Sequence, residues 1–468
     1  MSKILLIKPR FLNFEFKVIT QPLGLMYIGA ALKKSGHKPR IHDCALDYKD
    51  LHVLKQILVN WKPDHIGISI IITELEQTKK IMNIIREILP NVPVTFGGSW
   101  PTPNPEASIK EFGADFVVIG EGEVVFPQLI DAVNNGLPYE SIPGTALMAN
   151  GEVKINPGRF LTEDELDDLP FPAWELLDHK LYAKNLSGAC VGYRPYMALF
   201  TSRGCPYHCA YCHQIMGKAF RKRSAESVLA EMEALCFHHG IKEFEIFDDC
   251  FNIDRKRFHT ILTGIKSRLG NVKLHFTSGL RADILEPEDM LLFRQAGTVS
   301  ANYAIETSSS RLQKMIHKNL NIEKAISVIN ASIKAGIYSM GYFMIGFPTE
   351  TYSEASATVE LAVRSSLHRA TFMLVTPYAG TELAKMAANT LNNADIEDFR
   401  YMNFYNCKLN VSAMSDDELQ RIFRYAYRRF YLNPKRLLRL ILYHPNVFSI
   451  PQYAFITLIK IMPKLGKS

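Results

Sequence analysis

The 468-residue sequence lacks the features that mark membrane-spanning and secreted proteins. No run of apolar residues reaches the roughly 18 to 20 that a membrane helix requires. The opening segment Met1–Ile7 has too short an apolar run for a signal peptide and is typical of a β-strand. Because no secretory leader accompanies the eight cysteines, we expect reduced thiols and a cytoplasmic protein.

Acidic residues are missing from the end of the chain, where no Asp or Glu follows Glu418. The basic residues that follow it are Arg421, Arg424, Arg428, Arg429, Lys435, Arg436, Arg439, Lys460, Lys464 and Lys467. Two stretches, 421–432 and 434–443, combine apolar and basic residues at helical spacing. Such helices pack on a domain with a basic face in water, which we favour slightly, or contact an anionic membrane surface peripherally. Nucleic acid is a disfavoured partner, because no recognised binding motif accompanies the charge.

The rest of the composition is typical of globular proteins, with 47% hydrophobic and 22% charged residues. The length suffices for two or three domains. We predict four regions: residues 1–140, a linker with a hairpin at 141–190, a second domain at 191–400, and a helical basic region at 401–468. The Pro-rich and acidic stretch 163–174 marks the main boundary.

The first region alternates short apolar runs with helical patterns, which predicts an α/β fold with a parallel, Rossmann-like (flavodoxin-like) sheet. The predicted strands are Lys3–Lys8, Pro39–Asp43, His65–Ile71, Val92–Phe96 and Phe116–Ile119. The predicted helices are Pro22–Ser35, Leu51–Trp61, Leu75–Leu89, Pro105–Phe112 and Val124–Asn134. Small or loop residues stand where the strands end, at 69–73, 97–99 and 120–123. Ligands bind at these ends in open parallel sheets, although tight turns alone explain such residues equally well.

A second alternating pattern predicts a partial, open (β/α) barrel of six strands. Its predicted strands are Tyr196–Phe200, Glu243–Asp248, Lys273–Ser278, Ser300–Ile305, Tyr338–Ile345 and Thr371–Val375. Between the two patterns, Thr145–Met148 and Val153–Ile155 flank Asn150-Gly151, which predicts a hairpin.

Three cysteines, Cys205, Cys209 and Cys212, follow the first barrel strand with C-x3-C-x2-C spacing. Closed zinc and iron–sulfur sites normally take four protein ligands, so three thiolates leave one metal position open. A structural zinc site is the alternative, but the other five cysteines are scattered singly and form no second pair. His208 and His213 lie too close in sequence to these cysteines to complete a tetrahedral shell easily.

This cysteine loop, with Tyr211 before the last cysteine and an apolar strand before the first, resembles the signature of the radical S-adenosylmethionine superfamily. Segments 21–29, 96–102 and 118–123 resemble the cobalamin-binding domain that precedes many of these enzymes. The resemblance implies a [4Fe-4S] cluster on the three cysteines, S-adenosylmethionine and cobalamin. One departure stands out: the loop at 8–15 has no histidine, and His52 lacks the following glycine and lies in a predicted helix. We therefore expect a cobalt without an axial histidine.

The resemblance also assigns site residues. For S-adenosylmethionine, Arg281 is expected to bind the methionine carboxylate, and Glu306 and Ser308 the ribose or amine. The remaining expected contacts are Tyr211 at the adenine, and Asp248, Ser278 and Gly346 at other strand ends. For cobalamin, the expected contacts are Gly24, Ser69, Thr73, Gly97, Gly98, Gly120, Glu121 and Gly122.

The implied activity begins with reductive cleavage of S-adenosylmethionine to methionine and a 5′-deoxyadenosyl radical, with flavodoxin or ferredoxin as the electron donor. Hydrogen abstraction from an unactivated carbon of a small or lipid-like substrate and methyl transfer from cobalamin would follow. A cyclase of the anaerobic porphyrin type and a non-catalytic cobalamin carrier or sensor are the alternatives. A methylthiotransferase is disfavoured, because its extra cluster needs three more cysteines and only Cys44 precedes residue 190.

Overall fold

The computed structural model describes residues 1–10, 18–47, 51–189, 191–213, 215–388, 409–452 and 454–455. The chain divides into two compact units. The first unit comprises Met1–Tyr182 and the short segment Ile215–Gly217, and the second comprises Ala183–Gln214 and Lys218–Ser468. In the described residues, no helix is long and apolar enough to cross a bilayer.

The first unit is built on a seven-stranded sheet with the order β2-β1-β3-β4-β5-β6-β7. Its strands are β1 Lys3–Lys8, β2 Lys38–Asp43, β3 His65–Ser69, β4 Val94–Gly97, β5 Phe116–Val118, β6 Thr145–Ala149 and β7 Glu152–Ile155. Its helices are α1 Leu23–Lys34, α2 His52–Trp61, α3 Leu75–Ile88, α4 Pro105–Lys110, α5 Gly122–Asn134 and α6 Glu163–Asp168, and α7 His179–Ala183 crosses into the second unit. Strands β1 to β5 pair in parallel, as predicted. Parallel pairing results because the connection after each strand, which includes a helix, returns the chain to the edge of the sheet where the strands begin.

The core of this unit lies between β1, α1 and α5. Ile4 and Leu6 point from β1 toward Leu25 of α1 and Phe126 of α5, and all four are buried. Burying an aliphatic or aromatic side chain of this size stabilises the fold by about 1.5–3 kcal/mol. This packing holds the strand ends, and the loops that follow them, in fixed positions.

The hairpin extends this first sheet, whereas the sequence predicted only that it lies in the linker region 141–190. Thr145 of β6 pairs antiparallel with Val118 of β5. Asn150 and Gly151 both have positive φ (51° and 83°), as expected for a two-residue turn whose twist matches that of the strands.

The second unit contains a parallel six-stranded sheet with the order β15-β14-β13-β12-β11-β8. Its strands are β8 Met197–Leu199, β9 Ser202–Arg203, β10 Arg221–Lys222, β11 Glu243–Ile246, β12 Lys273–Leu280, β13 Thr298–Glu306, β14 Tyr338–Ile345 and β15 Arg369–Leu374, of which β9 and β10 form a separate antiparallel ribbon. The helices between them are α8 Ala225–His239, α9 Arg255–Arg268, α10 Asp289–Gln295, α11 Ser310–Met315, α12 Ile322–Lys334, α13 Tyr352–Arg364 and α14 Glu382–Ala387. With β8 and β15 at the edges, the sheet is the open, partial barrel that the sequence predicted.

Side-chain caps set where the barrel helices begin. The Ser224 hydroxyl accepts from the Ser227 N–H at the start of α8, and Asp254 does the same for Arg257 in α9. Thr351 and Glu354 form a reciprocal capping box at the start of α13. These caps satisfy N–H groups that have no partner within the helix.

The helices described after the barrel include α15 Asp416–Tyr431 and α16 Pro434–Tyr443. The apolar face of α15 packs on the second unit, as in the arrangement that we favoured from the sequence. Its Tyr427 hydroxyl donates to the Phe372 carbonyl (2.9 Å), and its Tyr431 hydroxyl donates to the Ala370 carbonyl (2.7 Å). Two side chains therefore satisfy backbone groups on the edge strand β15, where a neighbouring strand would otherwise bind.

Replacing both of these tyrosines by Phe should lower the free energy of unfolding by about 2–4 kcal/mol, because buried backbone groups of β15 lose their partners. Tyr425→Phe is the matched control, since the hydroxyl of that exposed residue donates to Glu360 (3.2 Å) at the surface. Thermal unfolding followed by circular dichroism should show a lower transition temperature for the double variant only. Equal transitions in both proteins would contradict the assigned role.

Candidate functional site

The cysteine loop, residues 201–213, lies at the carboxyl end of β8 and is held by backbone hydrogen bonds from two distant elements. The Ala210 N–H donates to the Ile316 carbonyl (3.0 Å), and the Leu383 N–H donates to the Ala210 carbonyl (2.8 Å). These bonds fix the segment between Cys209 and Cys212 independently of any bound group.

The three thiols lie close enough to influence one another. Removal from water, followed by the charges of Cys209 and Cys205, raises the pKa of the Cys212 thiol to about 11. Burial, with smaller contributions from the charges of Asp249 and then Cys209, also raises the pKa of the Cys205 thiol. A positively charged metal group among them would reverse this effect, because it stabilises the thiolates.

Two aspartates connect the end of β11 to the start of the cysteine loop. The buried Asp248 carboxylate accepts from the Thr201 N–H (2.6 Å) and from the Ser202 hydroxyl (2.6 Å). The neighbouring Asp249 carboxylate accepts from the Gly204 N–H (3.0 Å). Burial raises the pKa of Asp249, and the nearby Asp248 adds to this shift. Both Asp248 oxygens bind the chain itself, since Thr201 donates to each of them. The structure therefore supports a positioning role for Asp248, which the sequence assigned to a cofactor contact.

A buried polar network joins the loop to the end of β13. The Tyr211 hydroxyl donates to Glu306 Oε1 (3.1 Å), and the Lys318 ammonium lies 3.4 Å from the same oxygen. Burial, then the Glu306 charge, raises the pKa of Tyr211 well above its usual value, so this hydroxyl stays a donor. Sequence analysis missed Lys318, because nothing in its local sequence shows that it approaches Glu306.

Glu306 also has a strained backbone, with φ of 67°. A non-glycine residue in this region costs on the order of 1–3 kcal/mol and is common at functional sites. The strain turns the chain at the end of β13 and directs the Glu306 carboxylate toward Tyr211.

Arg281 is buried and already paired. Its Nε donates to Asp283 (2.9 Å), and its Nη2 donates to the Lys318 carbonyl (2.9 Å). The guanidinium also lies 3.8 Å from the ring centre of Tyr207, which favours a cation. A methionine carboxylate would therefore meet a guanidinium whose charge Asp283 partly offsets, a feature that the sequence did not reveal.

The other predicted strand-end residues take different positions. Ser278 is exposed at the irregularity in β12, between Phe276 and Leu280. The Ser308 N–H donates to the Thr358 hydroxyl of α13 (3.0 Å).

Gly346 forms the turn after β14, where its φ of 102° requires a glycine. The buried Glu350 carboxylate accepts from the N–H groups of Gly346 (2.5 Å) and Phe347 (3.0 Å), and burial raises its pKa to about 7. Glu350 is a further positioning residue that sequence analysis did not single out.

In the first unit, the predicted glycine loops lie together at the carboxyl edge of the sheet. The Thr102 hydroxyl donates to the Gly98 carbonyl (2.8 Å) and accepts from the Gly120 N–H (3.0 Å), which joins the loops after β4 and β5. The Ile70 N–H, next to Ser69, donates to the Gly97 carbonyl (2.9 Å). Three consecutive strand ends are thus linked by hydrogen bonds.

The remaining predicted residues of this edge differ in burial. Gly24 is exposed in the first turn of α1, and a Cβ there would meet no atom within 4 Å. Thr73 is half-buried in a short helical turn after β3. Glu121 is buried and accepts from the Leu161 N–H (2.7 Å), and Gly122 begins α5 against Ile28.

Comparison with known proteins identifies both units. Residues 9–130 match the B12 binding domain, and residues 199–362 match the radical SAM superfamily. A protein from Pyrococcus horikoshii named an uncharacterized methyltransferase, PH0819, is 30% identical over 94% of this chain and 95% of its own length. The chain belongs to the cobalamin-binding radical S-adenosylmethionine proteins. Their cofactors are a [4Fe-4S] cluster, S-adenosylmethionine and cobalamin.

Solved structures of the family share the fold of this radical S-adenosylmethionine protein. The methyltransferase TsrM from Kitasatospora setae, solved with tryptophan and an S-adenosylmethionine analogue, has a TM-score of 0.68 at 19% identity, covering 83% of this chain and 76% of TsrM. The cobalamin-dependent enzyme OxsB in its apo form has a TM-score of 0.73 at 16% identity, covering 98% of this chain and 75% of OxsB.

The cysteine loop of this radical S-adenosylmethionine protein offers three thiolates, the number that leaves one iron of a four-iron cluster open. Within the described ranges, no three His, Cys, Asp or Glu side chains converge where one metal ion would sit. A four-iron cluster does not need such convergence, because each cysteine binds a different iron. Cys205, Cys209 and Cys212 would hold the cluster.

Gly98 leaves no room for a side chain, because its backbone packs closely on Ile70, the residue that follows β3. A Cβ at this position would lie 2.8 Å from the Ile70 carbonyl oxygen, and φ is 99°. Gly98→Ala should lower the free energy of unfolding by about 3 kcal/mol or more, because backbone strain and overpacking add. Gly36→Ala is the control, since φ is 82° there with no atom within 4 Å, and should cost about 1 kcal/mol.

The measurement is denaturant unfolding followed by tryptophan fluorescence, which reports on the first unit alone. All three tryptophans lie in it: Trp61, Trp100 and Trp174. Equal midpoints for the two alanine variants would show that the contact between Gly98 and Ile70 is not tight.

Proposed function

We propose that this protein methylates an unactivated carbon of a small or lipid-like metabolite. The observation that carries the proposal is one chain that combines a three-cysteine loop at the barrel edge with a B12 binding domain. When bound, the reduced cluster cleaves S-adenosylmethionine to a 5′-deoxyadenosyl radical, and cobalamin carries the methyl group.

Two named relatives support methyl transfer over other radical reactions. One is PH0819, and the other is the cytidylyl-2-hydroxyethylphosphonate methyltransferase of Streptomyces wedmorensis. The latter is 26% identical over 89% of this chain and 87% of its own length. Because these proteins align with nearly the whole chain, the likeness includes both units.

The residues of the second unit would have distinct tasks in this reaction. The three thiolates hold the cluster, while Asp248 and Asp249 fix the loop on which they stand. Glu306, held by Tyr211 and Lys318, would accept from the hydroxyl or ammonium groups of S-adenosylmethionine, and Arg281 would bind its carboxylate. An electron donor such as flavodoxin or ferredoxin would reduce the cluster.

A cyclase is the second candidate, because the anaerobic magnesium-protoporphyrin IX monomethyl ester cyclase of Rubrivivax gelatinosus is 27% identical over 88% of this chain and 74% of its own length. The two candidates differ in their products, since only methyl transfer adds a carbon to the substrate.

Purification with hydroxocobalamin tests the cobalamin part of the proposal. We expect about one cobalt per chain and, after reduction to the cob(II) state, an electron paramagnetic resonance spectrum without nitrogen splitting from an axial histidine. The reason is the histidine-free loop at 8–15, of which residues 11–15 lie outside the described residues. His52 begins α2, where it lies 3.0 Å from the Gln56 amide nitrogen, so His52→Ala should not change the spectrum. A colourless protein, or a nitrogen splitting lost in His52→Ala, would contradict this assignment.

A further inference from the structure

Helix α16 has the reverse of the orientation expected for a helix that packs by its apolar side. Leu438, Ile441 and Leu442 are more than half exposed (58%, 52% and 66%), whereas Arg436 is buried. The three aliphatic residues follow the i, i+3, i+4 spacing of one helix face. Phe448, 92% exposed just after the helix, adds to the apolar surface. We call these four residues the tail surface.

Two arginines attach α16 to the second unit, where the ring of Tyr443 also lies 5.5 Å from that of His368. The Arg436 guanidinium donates to the carbonyls of Val363 (2.7 Å) and Ser365 (3.0 Å) at the end of α13. The Arg439 guanidinium donates to the Ser366 carbonyl (2.6 Å). A cation at a helix C-terminus is favourable, because the last carbonyls lack partners. The same contacts keep the apolar side of α16 directed away from the unit.

The sequence that carries the tail surface has charge of one sign. Lys435 is exposed beside Leu438, and residues 419–468 contain no Asp or Glu. A second copy of this chain on the tail surface would bring two basic tails together, which costs electrostatic energy. Protein-binding surfaces are also typically rich in Tyr, Trp and Arg with a polar rim, whereas the tail surface is mainly aliphatic, with Phe448 and the adjoining, exposed Tyr443 as its aromatic residues.

An aliphatic helix face flanked by cations matches the surface of an anionic bilayer. The ten residues of α16 rise only about 15 Å, too short to span a membrane but suited to lying in its interface. We propose that the tail surface docks on a membrane containing anionic lipids, with Leu438, Ile441, Leu442 and Phe448 inserted below the headgroups. This proposal rests on the tail surface alone and does not depend on the reaction proposed above.

Flotation of the intact protein with lipid vesicles tests the proposal. Binding to vesicles of phosphatidylcholine and phosphatidylglycerol should exceed binding to phosphatidylcholine alone. The double variant Leu438→Ser with Leu442→Ser should weaken vesicle binding by at least about tenfold, because two inserted side chains lose their apolar burial. Lys435→Gln should weaken binding about fivefold, and only to the anionic vesicles.

The matched control is Leu137→Ser with Leu291→Ser, two leucines of similar exposure (54% and 60%) away from the tail. All of these residues are exposed, so circular dichroism should show unchanged folding. Equal vesicle binding by both double variants would overturn the proposal. A dimer that the tail variant converts to a monomer, without vesicle binding by the original protein, would overturn it in favour of self-association.

Discussion

Replacing Cys209 by Ala should abolish the formation of 5′-deoxyadenosine from S-adenosylmethionine. Two thiolates cannot hold a four-iron cluster as three do, so the electron that cleaves the sulfonium would no longer reach it. We expect a loss of about a thousandfold or more, the scale on which enzymes depend on their reactive group, together with loss of the iron–sulfur absorption.

The control for this variant is Cys236→Ala. Cys236 is a half-buried, free cysteine on α8, and burial raises the pKa of its thiol. It should keep about four irons per chain and full cleavage. Cobalamin binding should persist in Cys209→Ala, because the first unit supplies that site. A non-catalytic carrier would form no 5′-deoxyadenosine in either protein, and full cleavage by Cys209→Ala would contradict the cluster assignment.

Glu306→Gln should reduce the rate of S-adenosylmethionine cleavage by about a hundredfold. The change leaves the buried Lys318 ammonium without its carboxylate. Breaking a buried ion pair in this way lowers the stability of the local fold by about 3–5 kcal/mol. We expect Lys318 and Tyr211 to move in response, so that affinity for S-adenosylmethionine falls along with the rate. Equilibrium dialysis and chromatography of 5′-deoxyadenosine measure the two effects separately.

Two variants serve as controls for Glu306→Gln. Tyr211→Phe removes only one hydrogen bond to the carboxylate and should have a smaller effect, of about tenfold. Glu354→Gln breaks the more exposed pair with Arg311 and should leave cleavage unchanged. An unchanged affinity and rate in Glu306→Gln would show that the network with Tyr211 and Lys318 does not serve the reaction.

The fold followed from the sequence where apolar runs were continuous. Strands β1 and β14 have the predicted bounds, because their residues are nearly all buried and nothing interrupts the apolar run. The hairpin was placed correctly, but its attachment to the first sheet was not, because the pairing of Val118 with Thr145 is a tertiary contact without a local signal.

The sequence predicted which strand ends carry the site residues, but not what those residues contact. The parallel sheet places Asp248, Arg281 and Glu306 at one edge, as predicted. The contacts of each side chain could not be predicted, because they involve partners elsewhere in the chain, such as Lys318 for Glu306. Asp283, two residues from Arg281, could not be recognised as its partner, because sequence spacing does not show how a short helical turn directs side chains.

The orientation of α16 could also not be predicted from the sequence. Its hydrophobic and basic residues alternate at helical spacing, and the usual rule places the apolar side inward. The carbonyls at the end of α13 instead bind Arg436, and this contact reverses the helix.

One labelling experiment tests the central claim most directly. The anaerobically reconstituted protein is incubated with reductant, cobalamin, S-adenosylmethionine deuterated in its methyl group, and an extract that contains the substrate. Mass spectrometry should show a product with a carbon-bound trideuteromethyl group, together with 5′-deoxyadenosine and S-adenosylhomocysteine. Formation of 5′-deoxyadenosine without S-adenosylhomocysteine or a labelled product would contradict methyl transfer.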